Sequence, residues 1–365
     1  MSEAMPGRSV RESRRGAGKR IADHGAGLAC LAVLALAGAE PARAEPSVSI
    51  LPLSFRVTEI RGPGSEAALA AETSGLLPRA RAGTVAVVWG EEGGAVLSLG
   101  EDGLSTTAIP AEAAQGLAAA ETPRGAVPGS RRALSGPVSA YLSNPRSGPD
   151  GHPAAATVTV RERQPVARSA DPKPVPVSTA TVAAGPDAVF TGGAVQAVDL
   201  DGRLHLLAAR TVGDKASLAV IGREGETWSV TAETPAETGT VGQAAVGNFD
   251  GSGHATVALV RAAAGEGRLQ HWRIAPGGAV LAGEAPGYAE AGAAADLDGD
   301  GVPELAIPTR DRTALALVSL KGGISERARV TLPVPARSGP VVLGSGRGLH
   351  VLVELEDGRV ADLRP

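Results

Sequence analysis

From Thr84 to the C-terminus, short runs of Val, Leu and Ala alternate with turns rich in Gly, Asp and Pro. Apolar runs bounded by such turns predict many short strands, and helical spacing of apolar residues is absent from this region, so the chain reads as all-β. The stretch before it is less regular. Residues 47–60 make a strand-like run broken by Pro52, and residues 67–72 fit a brief helix bounded by Gly75 and Pro78. Pro and Ser recur through residues 164–188, where a long irregular excursion is expected.

The turns repeat. Val198–Asp199–Leu200–Asp201–Gly202 is followed forty-nine residues on by Asn248–Phe249–Asp250–Gly251, and forty-eight residues later by Asp296–Leu297–Asp298–Gly299–Asp300. A further copy lies near Leu343–Gly344, and poorer ones near Trp89 and Asn144. A period near forty-eight with about four strands per unit predicts the blades of a β-propeller rather than a solenoid. Anchors near 89, 144, 199, 248, 296 and 344 give six blades, with seven as the alternative. The last unit has room for strands at 351–353 and 359–363 and is then one strand short. The run at 47–60 is available to complete it, closing the ring with an N-terminal strand and covering an edge that would otherwise invite aggregation.

Candidate chemistry concentrates in one turn. Asp296, Asp298, Asp300 and Glu304 fall at positions one, three, five and nine of a glycine-bearing loop. Oxygen donors at this spacing suit a hard cation, above all Ca2+. An EF-hand would place an acidic residue at position twelve before a helix; Ile307 stands there, followed by Pro308. The Asp-x-Asp-Gly-Asp-Gly loop with its trailing glutamate resembles the FG-GAP or VCBS-type repeat of integrin-like β-propellers. That resemblance covers most of residues 84–353, although only the copy at 296 is complete. It implies Asp296, Asp298, Asp300 and Glu304 as side-chain ligands of Ca2+, with the Val302 carbonyl between them. Asn248, Asp250 and Ser252 keep oxygen at three positions, but Thr256 replaces the acidic ninth residue, and with fewer charges this copy is not expected to bind. The loop at Asp199 and Asp201 is shorter by about two residues, which makes it a still poorer candidate.

Composition then narrows the setting. Hydrophobic residues make up 43% of the chain, which argues against disorder throughout, and aromatics only 2%, so the core must be built mainly from Val, Leu and Ala. Residues 1–44 read as an export signal: six basic residues from Arg8 to Arg20, an apolar stretch from Ala26 to Ala39, and a small-x-small site at Ala42–Arg43–Ala44. A helix of that apolar length covers about 21 Å, short of a bilayer core, so a transmembrane anchor is not expected. Ser13–Arg14–Arg15 also resembles part of a twin-arginine signal, leaving the general secretory and twin-arginine routes open. Cleavage after Ala44 would leave residues 45–365 as one propeller domain, periplasmic or extracellular. The segment removed carries seven basic and four acidic residues, so the remainder has a net charge of −7 against −4 for the whole chain. Nucleic acid is therefore not an expected partner. Cys30 lies in the signal, so the exported part has neither a disulfide nor a thiolate nucleophile.

Motifs for catalysis are absent: there is no Gly-x-Ser-x-Gly elbow, His-Glu-x-x-His or phosphate loop. His152, His254, His205 and His350 recur near equivalent loop positions and could ring a transition metal, but separate loop-exit roles on different blades fit better, since ligands must converge on one centre. Trp89, Trp228 and Trp272 occupy no regular position and are expected in the core rather than stacked on sugars. The expected function is a non-catalytic, calcium-binding module for a protein or glycan at the cell surface. A calcium-dependent polysaccharide lyase or hydrolase and a cell-envelope scaffold are the alternatives.

Overall fold

The computed structural model describes residues 46–75, 83–149, 151–166, 174–275, 278–289 and 291–365. The export signal expected over residues 1–44 lies outside the described residues. Among the described residues no helix is long and apolar enough to cross a membrane.

Strand β1 (Ser47–Ile50) is followed by a four-stranded antiparallel sheet of β2 (Glu59–Arg61), β3 (Val85–Trp89), β4 (Gly94–Gly100) and β5 (Gly103–Ile109), paired in that order. Helix α1 (Glu66–Thr73) lies between β2 and β3, and α2 (Ala111–Ala118) follows β5. A nine-stranded sheet comes next. It holds β6 (Ala133–Ser135), β7 (Val138–Ser147), β8 (Pro153–Arg163), β9 (Val177–Ala183), β10 (Ala188–Leu200), β11 (Arg203–Val212), β12 (Lys215–Glu224), β13 (Thr227–Glu233) and the short β14 (Glu237–Thr238). Its two halves, β6–β9 and β10–β13, are ladder-paired at one residue pair only, Phe190 with Ala155, and share a core. Two more four-stranded sheets keep sequence order: β15 (Thr240–Gly247), β16 (Thr256–Ala263), β17 (Glu266–Ala275) and β18 (Gly278–Pro286), then β19 (Ala293–Ala295), β20 (Glu304–Pro308), β21 (Ala314–Ser319) and β22 (Ser325–Thr331). The last sheet takes β23 (Val341–Leu343), β24 (His350–Glu354) and β25 (Val360–Arg364), and β1 pairs antiparallel with β25 from Ser47–Arg364 to Ile50–Ala361.

The apolar runs are continuous rather than alternating because central strands are buried on both faces. Side chains of a strand point alternately to opposite sides, so one run feeds two cores. Val85 and Val87 face α1 and α2, while Ala86 and Val88 pack with Leu352 and Val360. Leu305 and Ile307 pack with Val260 and Leu269, while Ala306 packs with Val351 and Leu363. Leu206 joins Leu142 and Val158, while Leu207 joins Val257 and Leu259. From β6 onward each strand group thus shares a core with the next, and the last shares one with β2–β5, whose other face packs on α1 and α2 rather than on β6–β9.

Three features depart from the sequence reading. The run at 47–60 divides: β1 completes the last sheet, whereas Glu59 and Ile60 already belong to β2. Helix α2 was not expected, and with α1 it covers the β3–β4 face. Within the stretch expected to be irregular, residues 177–183 form β9, which pairs with β8 from Arg163–Val177 to Thr157–Ala183.

Candidate metal centre

Strand β19 ends at Ala295 and β20 begins at Glu304, and these residues face each other across the pair. Residues 296–303 therefore cap a hairpin. Gly299 and Gly301 sit at φ +78° and +83°, backbone values that a residue with a Cβ rarely adopts. The side chains organise the turn through its own amides. Asp296 accepts from Gly299 N at 2.7 Å through Oδ1 and from Gly301 N at 3.0 Å through Oδ2. Asp298 Oδ1 accepts from Asp300 N at 3.0 Å, and Asp300 Oδ1 from Val302 N at 2.8 Å. Glu304 Oε2 accepts from Leu297 N at 2.9 Å.

This folding gathers one oxygen each from Asp296, Asp298 and Glu304 within 4.8 Å of one another. Among the described residues it is the one such group of metal-ligating side chains. Asp300 belongs to the same loop, but its Oδ2 is 3.3 Å from Lys321 Nζ. Val302 donates its amide to Asp300, and a Cβ added at Gly251 would stand 3.5 Å from its Cγ2. Glu304 is only 2% exposed. Burial pushes its carboxyl above the ordinary glutamate range; the Leu297 amide opposes the shift, and the charges of Asp298 and Asp300 add to it. Asp300 moves the other way, held low first by the Val302 amide and then by Lys321. Arg327 Nη1 lies 3.2 Å from Asp298 Oδ2 and supplies a second counter-charge. Lys321 and Arg327 come from the far side of the same sheet, and no spacing in the sequence marks them. An oxygen-only set with one buried acid fits a hard cation, which would offset the desolvation of Glu304.

The turn forty-eight residues earlier repeats this framework with three of the four acids replaced, only Asp250 remaining. Gly253 N donates to Asn248 Oδ1 at 3.0 Å, Ser252 N to Asp250 Oδ1 at 3.0 Å, and His254 N to Ser252 Oγ at 3.3 Å. Gly251 and Gly253 keep the positive φ of Gly299 and Gly301. In place of Glu304 stands Thr256, whose hydroxyl donates to Gly247 O at 3.1 Å and accepts from His271 Nε2 at 2.8 Å. Asp250 is paired with Arg273 at 3.1 Å. An interior occupied by a hydroxyl and a buried imidazole lacks the third acid. Burial lowers the His271 pKa, which favours the neutral ring.

Asp199 keeps only the first bond, accepting from Gly202 N at 2.6 Å. The histidines hold separate partners: His254 Nδ1 is 3.0 Å from Asp201, His205 Nδ1 is 3.1 Å from Arg203 O, and His350 Nδ1 is 2.8 Å from Asp362. Trp89, Trp228 and Trp272 are all buried. Comparison of the chain with models of protein families and with curated proteins finds no match.

Proposed function

We propose that this chain is an exported, calcium-stabilised β-propeller that binds a protein or glycan without catalysing a reaction. The observation that carries the metal assignment is the approach of Asp296, Asp298 and Glu304 oxygens to within 4.8 Å, with Glu304 buried. Ca2+ would take these three carboxylates and the remaining loop oxygens, Asp300 and the Val302 carbonyl, as its ligand set. The resemblance of the loop to the FG-GAP/VCBS repeat points the same way.

Six blades account for the sheet order: β2–β5, β6–β9, β10–β13, β15–β18, β19–β22, and β23–β25 completed by β1. Support comes from the single residue pair joining the halves of the nine-stranded sheet and from the β1–β25 pairing. The helices α1 and α2 fill the face of the first blade that no strand group covers. A rigid ring of this kind presents its inter-strand turns as a binding surface.

Calorimetric titration with CaCl2 and thermal unfolding in calcium and in chelator test the reading. The expected result is saturable binding and, at a free concentration one hundred times the Kd, about 2.7 kcal/mol of added stability. Identical melting in both buffers with no heat of binding would falsify the metal assignment.

A further inference from the structure

Beside the Asp201 turn lies a cleft with a volume of about 660 Å³. Its walls come from β8, from the β10–β11 and β12–β13 turns, and from the end of β17. The volume falls within the roughly 300–1,000 Å³ of small-molecule sites, too small for a folded partner.

The polar lining is held in place by contacts that leave specific atoms free. Arg223 grips Glu162 through Nη1 at 3.0 and 3.2 Å and Gly225 O through Nε at 3.0 Å, fixing one wall to the other. His205 Nδ1 donates to Arg203 O at 3.1 Å, which leaves Nε2 of the neutral ring as an acceptor. Gly222 makes room for that ring: a Cβ there would stand 3.0 Å from His205 Cδ2. The Arg203 guanidinium and the Glu224 carboxylate line the cleft with no hydrogen bond or ion pair to any described residue. Between these polar groups run Leu200, Leu204, Ile274 and part of Trp228.

We propose that the cleft binds a short, uncharged oligosaccharide, an assignment that rests on the binding-module reading above and names its ligand. A sugar hydroxyl both donates and accepts, so it can accept a hydrogen bond from Arg203 and donate one to Glu224 or to His205 Nε2. The C–H faces of the rings match the apolar strip. Acids and bases nearly balance in the lining, with Asp201, Glu162 and Glu224 against Arg203 and Arg223. A strongly anionic or cationic ligand would leave half of these groups opposed to it.

Calorimetric titration with maltotriose, xylotriose and mannotriose tests this, with trigalacturonate and trialanine as the charged and peptide comparisons. At least one neutral trisaccharide is expected to bind at millimolar concentration or below. Arg203→Ala should weaken it about tenfold, the scale of one charge-assisted hydrogen bond. His205→Ala serves as a second variant, and unchanged melting of either variant separates lost binding from lost folding. Three results overturn the proposal: no neutral trisaccharide binds, binding ignores both substitutions, or a comparison compound binds more tightly. Running each titration in calcium and in chelator keeps the two readings apart, because the 296–304 loop does not line the cleft. Saccharide binding by a chain that takes up no calcium and melts identically in both buffers sinks the metal assignment alone; calcium binding without saccharide binding sinks this one alone.

Discussion

Asp201 reaches from its own turn to the next: Oδ1 accepts from Ala255 N at 2.9 Å, and Oδ2 lies 3.0 Å from His254 Nδ1. The short loop that kept too few oxygens for a metal thus uses its carboxylate to fasten the neighbouring loop. The Ala255 amide lowers the Asp201 pKa, with His254 assisting. A lowered folded pKa means that this contribution is present at neutral pH and is lost as pH falls through the folded value. Asp201→Ala should speed hydrogen exchange of the Ala255 amide, whereas Asp201→Asn, which keeps an oxygen acceptor, should largely preserve its protection. Equal exchange in both variants would show that the Asp201 carboxylate does not hold the Ala255 amide.

Glu304→Gln separates the cost of a buried charge from its use. Burial raises the folded pKa of Glu304, so without a cation its effect on stability is most favourable in acid. Stability then falls as pH rises from the ordinary glutamate value through the raised one. In chelator at neutral pH, Glu304→Gln should be at least as stable as the parent and show a flatter pH profile. In calcium the order should reverse, because only the parent gains. Urea unfolding at several pH values in both buffers measures this.

Asp298→Ala should abolish most of the calcium-dependent gain, since Asp298 supplies one of the three converging oxygens. Asp250→Ala should leave it intact, because its loop has Thr256 and His271 where an acid would be needed. Differential scanning calorimetry of both variants with calcium and with chelator distinguishes them.

Arg261 is fully buried in β16 and donates to Ala216 O at 2.7 Å, Glu237 O at 3.2 Å and Pro235 O at 3.3 Å, binding the β12–β14 region to the next sheet. Truncation would leave three carbonyls facing a cavity. Arg261→Ala should cost about 3 kcal/mol in urea unfolding, and Arg261→Lys should recover little of it because an ammonium cannot reproduce the fork.

Deleting residues 46–51 should remove on the order of 3 kcal/mol of stability, from the lost β1 pairing and from Val48 and Ile50 packed on the last core. Exposure of the β25 edge should also promote association, visible by light scattering.

Strand content and the hairpin under the acidic loop were legible because both depend on local pattern: apolar runs, glycines at positive φ, and carboxylates at fixed spacing. The β1 segment was legible by subtraction, since the last unit lacked a strand. Helix α2 was not, because its eight residues hold Gly116 and too few large apolar side chains for a helical period to stand out, and the helix forms against β3 and β4. Strand β9 hid behind prolines, and the apolar face it turns to the core is only Ala180 and Val182, too short to read. The ion partners of the loop, Lys321 and Arg327, and the tie from Asp201 to Ala255 depend on which turns become neighbours in space. Arg261 looked like an ordinary polar strand residue, since nothing local tells a buried guanidinium from a solvated one.

The pairing of Ser47 with Arg364 spans nearly the whole chain. A contact of such sequence separation forms late, because the loop it closes must be ordered first. During synthesis the earlier hairpins can form as they emerge, while β1 waits without a partner until the final strand is made. Unfolding should run through the same seam in reverse, so the β1–β25 amides should be the first of the sheet amides to exchange with solvent. The joint between β1 and β25 would then set how long the folded molecule survives, whatever the strength of its cores.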